Sequence, residues 1–311
     1  KSVESHGFTQ DAAENMFISE FARLSDIPFI LPFPTVAQSS KDSLLSVVAK
    51  PLKIDPIVEL LQDKFGSERV TMKLVMIEND GNGNSELHAL ITDTNGLAGK
   101  YVLAGSAKTP SALVEAMARR IASDTLPYRV ALTYYNEGLH GRADGYKSAR
   151  ELANTTLQLG FDKSKATQRA MLFNVLGLVT AQEGNMAAAD ERFSEGMQVP
   201  LASGTARAVI AANRAIMALS RRDVKAARAF HSIAMKEKMM PYLDYFDQHL
   251  TIVDGLILWA EGDLAGAEAQ FLAVERYLLG DTALTYRAQL LKASNRTEEA
   301  NALASKAAFL K

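Results

Sequence analysis

The chain has 311 residues, of which 48% are apolar and 23% charged, with a net charge of −2. That composition supplies a core and excludes wholesale disorder, and the near-zero charge gives no global argument for nucleic acid or an anionic membrane surface. Cysteine is absent, which excludes disulfides, thiol nucleophiles and thiolate-held zinc or iron–sulfur centres.

The absence of thiols suits the cytoplasm and the periplasm equally. The longest apolar stretches, such as Ile27–Phe33 and Leu256–Ala260, fall well short of the roughly 18–20 residues that span a bilayer. No secretory signal is visible. The chain starts at Lys1 rather than Met, which suggests a trimmed or processed form and leaves room for a signal or anchor upstream.

The chain divides near Pro127. Residues 1–127 hold 12 Lys+Arg and 16 Asp+Glu, net −4, and the remainder is net +2. The first helix is expected after Thr9, which can cap it, with Asp11 in the first turn and Phe17, Phe21 and Leu24 on one stripe. Pro28, Pro32 and Pro34 then exclude regular helix. Asp55-Pro56 opens a helix over Ile57–Phe65 that should stop at Gly66. Strands are expected at Val70–Ile77, Leu87–Ile91 and Lys100–Ala104, the last two joined across Thr94-Asn95-Gly96. Thr109-Pro110 starts another helix, with Leu113, Met117 and Ile121 on one face. The predicted first domain, 1–127, is therefore α+β, with an antiparallel meander covered by helices on one face.

The second domain, 128–311, is self-similar. Three turns align: Glu183-Gly184-Asn185, Arg221-Arg222-Asp223 and Glu261-Gly262-Asp263. A small residue precedes each by about two helical turns (Gly177, Ala215, Gly255), and Ala189, Ala227 or Ala267 follows. Four residues later stand Phe193, His231 and Phe271. Weaker copies centre on Asp144 and Asn295, so successive turns lie 33–40 residues apart. Small residues let two antiparallel helices approach, and the larger residue is expected to fill the gap against the next hairpin. A single hairpin cannot bury its own apolar face, so about five hairpins are expected to stack.

At Leu176-Gly177, Glu183-Gly184-Asn185, Ala189 and Phe193, and again at Gly255, Gly262-Asp263, Ala267 and Phe271, the chain resembles the tetratricopeptide repeat family. The resemblance covers roughly residues 130–311, and the closing proline of the pattern survives approximately as Pro200 and Pro241. It implies an all-α solenoid after the α+β domain, and a scaffold that binds a peptide or partner protein in a concave groove. It implies no catalysis. On that basis Tyr134, Asn174, Leu178, Ile216, His249, Ile252, Leu256 and Trp259 are expected to line the groove, with Asn213 approaching it. These residues are mostly apolar, which favours an apolar or helical ligand. Burial against the first domain, or against a second copy in a homodimer, is the competing expectation. The first domain resembles, more weakly, small α/β modules that precede such repeats in bacterial proteins, often just after a membrane helix. Gly7-Phe8-Thr9, Val47-Val48 and Pro51 carry that likeness. A small-ligand sensor in 1–127, relayed by the repeats, is the alternative function.

Chemistry is hard to find in the residues. The five histidines (His6, His88, His140, His231, His249) include no pair spaced by three or four, so no helical zinc pair exists. Asp80-Gly81-Asn82-Gly83-Asn84 begins like a calcium loop, but Ser85 and Ile91 stand where Gly and Glu are needed. No phosphate-binding Gly-Lys-Ser/Thr run or Gly-x-Ser-x-Gly elbow occurs. Neither enzyme activity, cofactor, metal nor nucleic acid is expected. Asp254 is expected to pair with an arginine such as Arg214 or to face solvent. Arg221, Arg222, Lys225 and Arg228 are expected to form a solvated helix end.

Overall fold

A computed structural model describes residues 12–13, 15–17, 19–20, 71–78, 84–93, 96–106, 110–160, 165–237, 244–277 and 279–309. The elements expected at 57–65, the proline-rich stretch at 28–34 and the turn at 79–83 lie outside them. The described residues form an α+β part followed by an all-helical part. Contacts divide the chain into two units, with the break after Thr156.

In the first unit, β1 (Thr71–Glu78), β2 (Asn84–Asp93) and β3 (Gly96–Ser106) make an antiparallel sheet in the order β1-β2-β3. All three expected strands are present, and β2 and β3 are longer than the apolar runs that signalled them. The register opposes Met72 to Ile91, Leu74 to Ala89 and Met76 to Leu87. A bulge beside Ile91 and Thr92 shifts the β2–β3 pairing. Alternation along β2 buries Leu87, Ala89 and Ile91 on one face. Helix α1 (Pro110–Thr125) lies against β2 and β3. Its stripe of Leu113, Met117 and Ile121, widened by Val114, Ala118 and Ala122, joins the β2 face and Phe17 in one core. Arg119 donates from Nε to Glu20 Oε1 at 2.8 Å, which ties the N-terminal helical residues to α1. Burial first, and Asp124 second, push the Tyr101 hydroxyl up to about 12.

Helix α2 (Pro127–Leu139) begins at the proline that marked the expected boundary, placed where its missing N–H costs nothing. Val130 of α2 belongs to the sheet core, so α2 packs with the first unit although its sequence reads as part of the array. Helix α3 (Gly145–Gln158) follows. The left-handed residue between α2 and α3 is Gly141, with φ of 88°, three positions before the expected centre at Asp144. Within that longer loop Arg142 ion-pairs with both Glu137 and Asp144.

The second unit holds four hairpins: α4 (Ala166–Gln182) with α5 (Met186–Met197), α6 (Gly204–Ser220) with α7 (Val224–Glu237), α8 (Asp244–Glu261) with α9 (Leu264–Val274), and α10 (Gly280–Ala293) with α11 (Thr297–Phe309). Consecutive hairpins touch through α5–α6, α7–α8 and α9–α10, and the first helices also meet in the pairs α4–α6 and α6–α8.

The four turns share one backbone. Gly184, Arg222, Gly262 and Asn295 are left-handed, with φ of 84°, 60°, 89° and 61°. The next residue donates its N–H back to the preceding helix in each: Asn185 to Thr180 O, Asp223 to Ala218 O, Asp263 to Leu258 O and Arg296 to Leu291 O, at 2.9–3.2 Å. In three turns that same residue caps the next helix. Asn185, Asp223 and Asp263 accept from Ala188 N, Ala226 N and Gly266 N at 3.1, 3.0 and 2.9 Å. One three-residue turn therefore ends one helix and starts the next.

The small residues are used as expected, but the aromatic partner differs. A Cβ on Gly177 would lie 2.5 Å from the Phe193 ring, and one on Gly255 would lie 2.6 Å from the Phe271 ring. Each ring thus rests on the glycine of its own hairpin rather than only filling a gap to the next.

Candidate functional site

The expected groove residues separate into two groups. Asn174, Leu178, Asn213 and Ile252 are fully buried, and Ile216 and His249 nearly so, at 3% and 2% exposed. Those six are interior residues in this structure, which corrects their assignment to an open face. Tyr134, Leu256 and Trp259 are half-buried. Tyr134 packs on the sheet core of the first unit. Leu256 and Trp259 sit together in the second, against a cluster that includes Ile252, Phe271 and Tyr286.

The burial has a local cause. Helix α6 touches α4, α5, α7 and α8, and residues Ala208–Asn213 and Ala215–Ala218 are buried as continuous runs. Such a helix has almost no free stripe. Its polar residue on the inner side is satisfied there: Asn213 Nδ2 donates to Asn174 Oδ1 at 2.7 Å. His249, expected to line the groove, is enclosed, and burial pushes its imidazole down to about 3. The neutral ring is therefore the form present at neutral pH.

His231 takes the core position its alignment with Phe193 and Phe271 implied, and is 8% exposed. Its Nε2 donates to Leu250 O at 3.1 Å, across to the next hairpin. Burial lowers its pKa, against an opposing pull from the Asp254 carboxylate. His88 pairs with Glu86 at 2.8 Å, two residues away on the same strand, and His140 is exposed. Among the described residues no three His, Asp or Glu side chains gather as a metal set. No described helix is long and apolar enough to cross a membrane.

Asp254 does not pair with Arg214. Its Oδ1 accepts from Arg228 of the preceding second helix, and its Oδ2 accepts from Gln270 Nε2 at 3.1 Å. Arg228 also holds Glu261, so the basic cluster around 221–228 is not free: its innermost member is spent within the stack. Arg214 instead donates twice to Asp190, at 3.0 and 3.2 Å, with its guanidinium 4.1 Å over the Phe230 ring. Arg287 reaches Glu268 and Glu275, and Arg296 also reaches Glu268.

These contacts were missed in the sequence, yet they obey one rule. The residue after the small alanine of each second helix (Asp190, Arg228, Glu268) pairs with a residue of the next first helix (Arg214, Asp254, Arg287). Arg214 and Asp254 stand immediately before Ala215 and Gly255. Complementary charges flanking the small anchors in successive copies are the signal that would have revealed the rungs. Each pair keeps some solvent exposure, between 16% and 35% per side chain, so each contributes about 1 kcal/mol or less.

A shallow depression in the second unit is lined by Leu264, Leu290, Leu291 and Ser294 together with Glu268 and Arg296. No family model, curated protein or solved structure matches the chain.

Proposed function

We propose that this chain is a non-enzymatic interaction scaffold, in which an α+β domain precedes a tetratricopeptide-like array that holds a peptide or partner protein on its first-helix side. The observation that carries the reading is the shared turn. Four successive hairpins use a left-handed residue at the same position and the same backward N–H bond, the regularity expected of stacked repeats. Leu256 and Trp259 are the members of the expected groove in the second unit that keep solvent exposure. Both are apolar or aromatic, so binding energy on this reading comes from buried apolar area.

The test is capture from a native extract with the wild type and with a Leu256→Ala/Trp259→Ala double variant, both checked for the same thermal unfolding midpoint. The double variant is expected to lose captured partners. Equal recovery of every partner by the two proteins overturns the groove.

A further inference from the structure

The rungs between hairpins alternate in sign, and we infer that this alternation is a stacking-order code. The lower members, Asp190 on α5, Arg228 on α7 and Glu268 on α9, run negative, positive, negative. The upper members, Arg214 on α6, Asp254 on α8 and Arg287 on α10, run positive, negative, positive. Every step in chain order therefore joins opposite charges.

Two near errors join like ones. Leaving out one hairpin sets Asp190 against Asp254, or Arg228 against Arg287. Stacking a hairpin on its counterpart from a second copy sets Arg228 against Arg214, or Glu268 against Asp254. Hairpins that share a turn, a glycine or alanine anchor and a core ring are interchangeable by shape. Misassembly is a characteristic failure of such chains, and the code opposes skipped and self-on-self stacking, not a reciprocal exchange that keeps every native pair. Pairs this exposed add little stability, and a like-charged rung costs a comparable amount, so a wrong stack is disfavoured by the pair lost and the repulsion gained together.

The code also stops at both ends. The corresponding position before Gly177 on α4 holds Leu176, and the one after Ala300 on α11 holds Asn301. Neither end of the four-hairpin stack offers a rung charge for another copy to continue. The inference does not depend on what the scaffold binds.

The experiment rewrites the middle rung so that all three read alike. The variant is Arg228→Asp/Asp254→Arg in a Glu261→Gln background, which removes the third charge that Arg228 holds. Glu261→Gln alone is the control. Both proteins and the wild type are unfolded in denaturant and refolded in the full chain at equal concentration. Light scattering after size separation then measures the fraction of species larger than the native one. The recoded protein keeps an ion pair at every rung, so its unfolding midpoint is expected to match the control. Its misassembled fraction is expected to rise severalfold. The same fraction in recoded and control proteins overturns the code.

Should the recoded chain fail to fold, the wild type decides. Refolding at about 1 M salt, where screening acts over roughly 3 Å, is expected to raise the larger species severalfold over refolding at low salt. No change with salt overturns the proposal.

Discussion

Hairpins α4/α5 and α8/α9 close with a bare glycine under a phenylalanine ring, Gly177 under Phe193 and Gly255 under Phe271. The hairpin between them holds Ala215 and His231 at the corresponding positions. The outer two are closed by shape alone: a ring fully withdrawn from water rests where no Cβ stands. The middle one has a ring with a polar edge, and that edge is bonded to the Leu250 carbonyl of the next hairpin. One slot in the architecture thus accepts two chemistries. The apolar version is indifferent to pH, and the histidine version is not.

Acid acts on two buried histidines, His231 in the middle slot and His249 on α8, which lies outside the slots. His249 has a folded pKa of about 3, below its ordinary 6.5, and His231 is lowered as well. Below pH 6.5 the unfolded chain takes up protons that the folded chain refuses, so stability is full above that pH and falls as the pH drops toward 3. For His249 the slope is about 1.4 kcal/mol per pH unit, or roughly 2–3 kcal/mol over two units. Denaturant unfolding at pH 7, 6 and 5 is expected to show it, and His249→Gln is expected to flatten the curve. Equal slopes in the two proteins would break the assignment of a buried neutral ring.

Next in size is the glycine itself. Gly255→Ala drives a methyl into the Phe271 ring and is expected to cost up to about 2 kcal/mol, the overpacking cost less the gain in helix propensity. Adding Phe271→Leu makes room. The double variant is expected to cost about 1 kcal/mol less than the sum of the two single changes, read from urea midpoints. Strict additivity would mean that glycine and ring do not act as one slot.

The smallest effect is at the turn of the middle hairpin. Arg222 is left-handed with φ of 60° where its neighbours in the series use Gly184 and Gly262. Arg222→Gly is expected to stabilise the chain by about 0.5–1 kcal/mol, since relief of the side-chain clash outweighs the added freedom of the unfolded chain. A loss of stability at equilibrium would show that the middle turn is held by something other than backbone shape.

The features legible in the sequence are those whose physics is local. A left-handed turn selects glycine or asparagine, so Gly184, Gly262 and Asn295 mark their turns directly, and Arg222 is marked only by its alignment with them. Alternation over Leu87, Ala89 and Ile91, and the stripe of Leu113, Met117 and Ile121, mark the two faces that meet in the first core. The face of α6 left open was not legible. Apart from the face of Arg207 and Arg214, its alanine, valine, isoleucine and methionine run over every other side, so no further stripe distinguishes inside from outside, and Asn213 resembles a groove residue although Asn174 stands opposite it. Asp254 could be given an arginine but not the right one, because Arg214 and Arg228 belong to different helices of the same preceding hairpin. The placement of α2 turned on Val130, a residue that would serve either core equally well.

The Asn213–Asn174 bond also constrains how the molecule can change over time. Replacing either residue by an aliphatic one sets a buried amide against hydrocarbon, which costs about 1–3 kcal/mol. Replacing both together removes donor and acceptor of that bond at once and costs less than the sum of the two single changes. Passage between the two states runs through a handicapped intermediate, so a single drifting substitution is the more strongly selected against. Two positions 39 residues apart in the chain are thereby tied into one unit of inheritance.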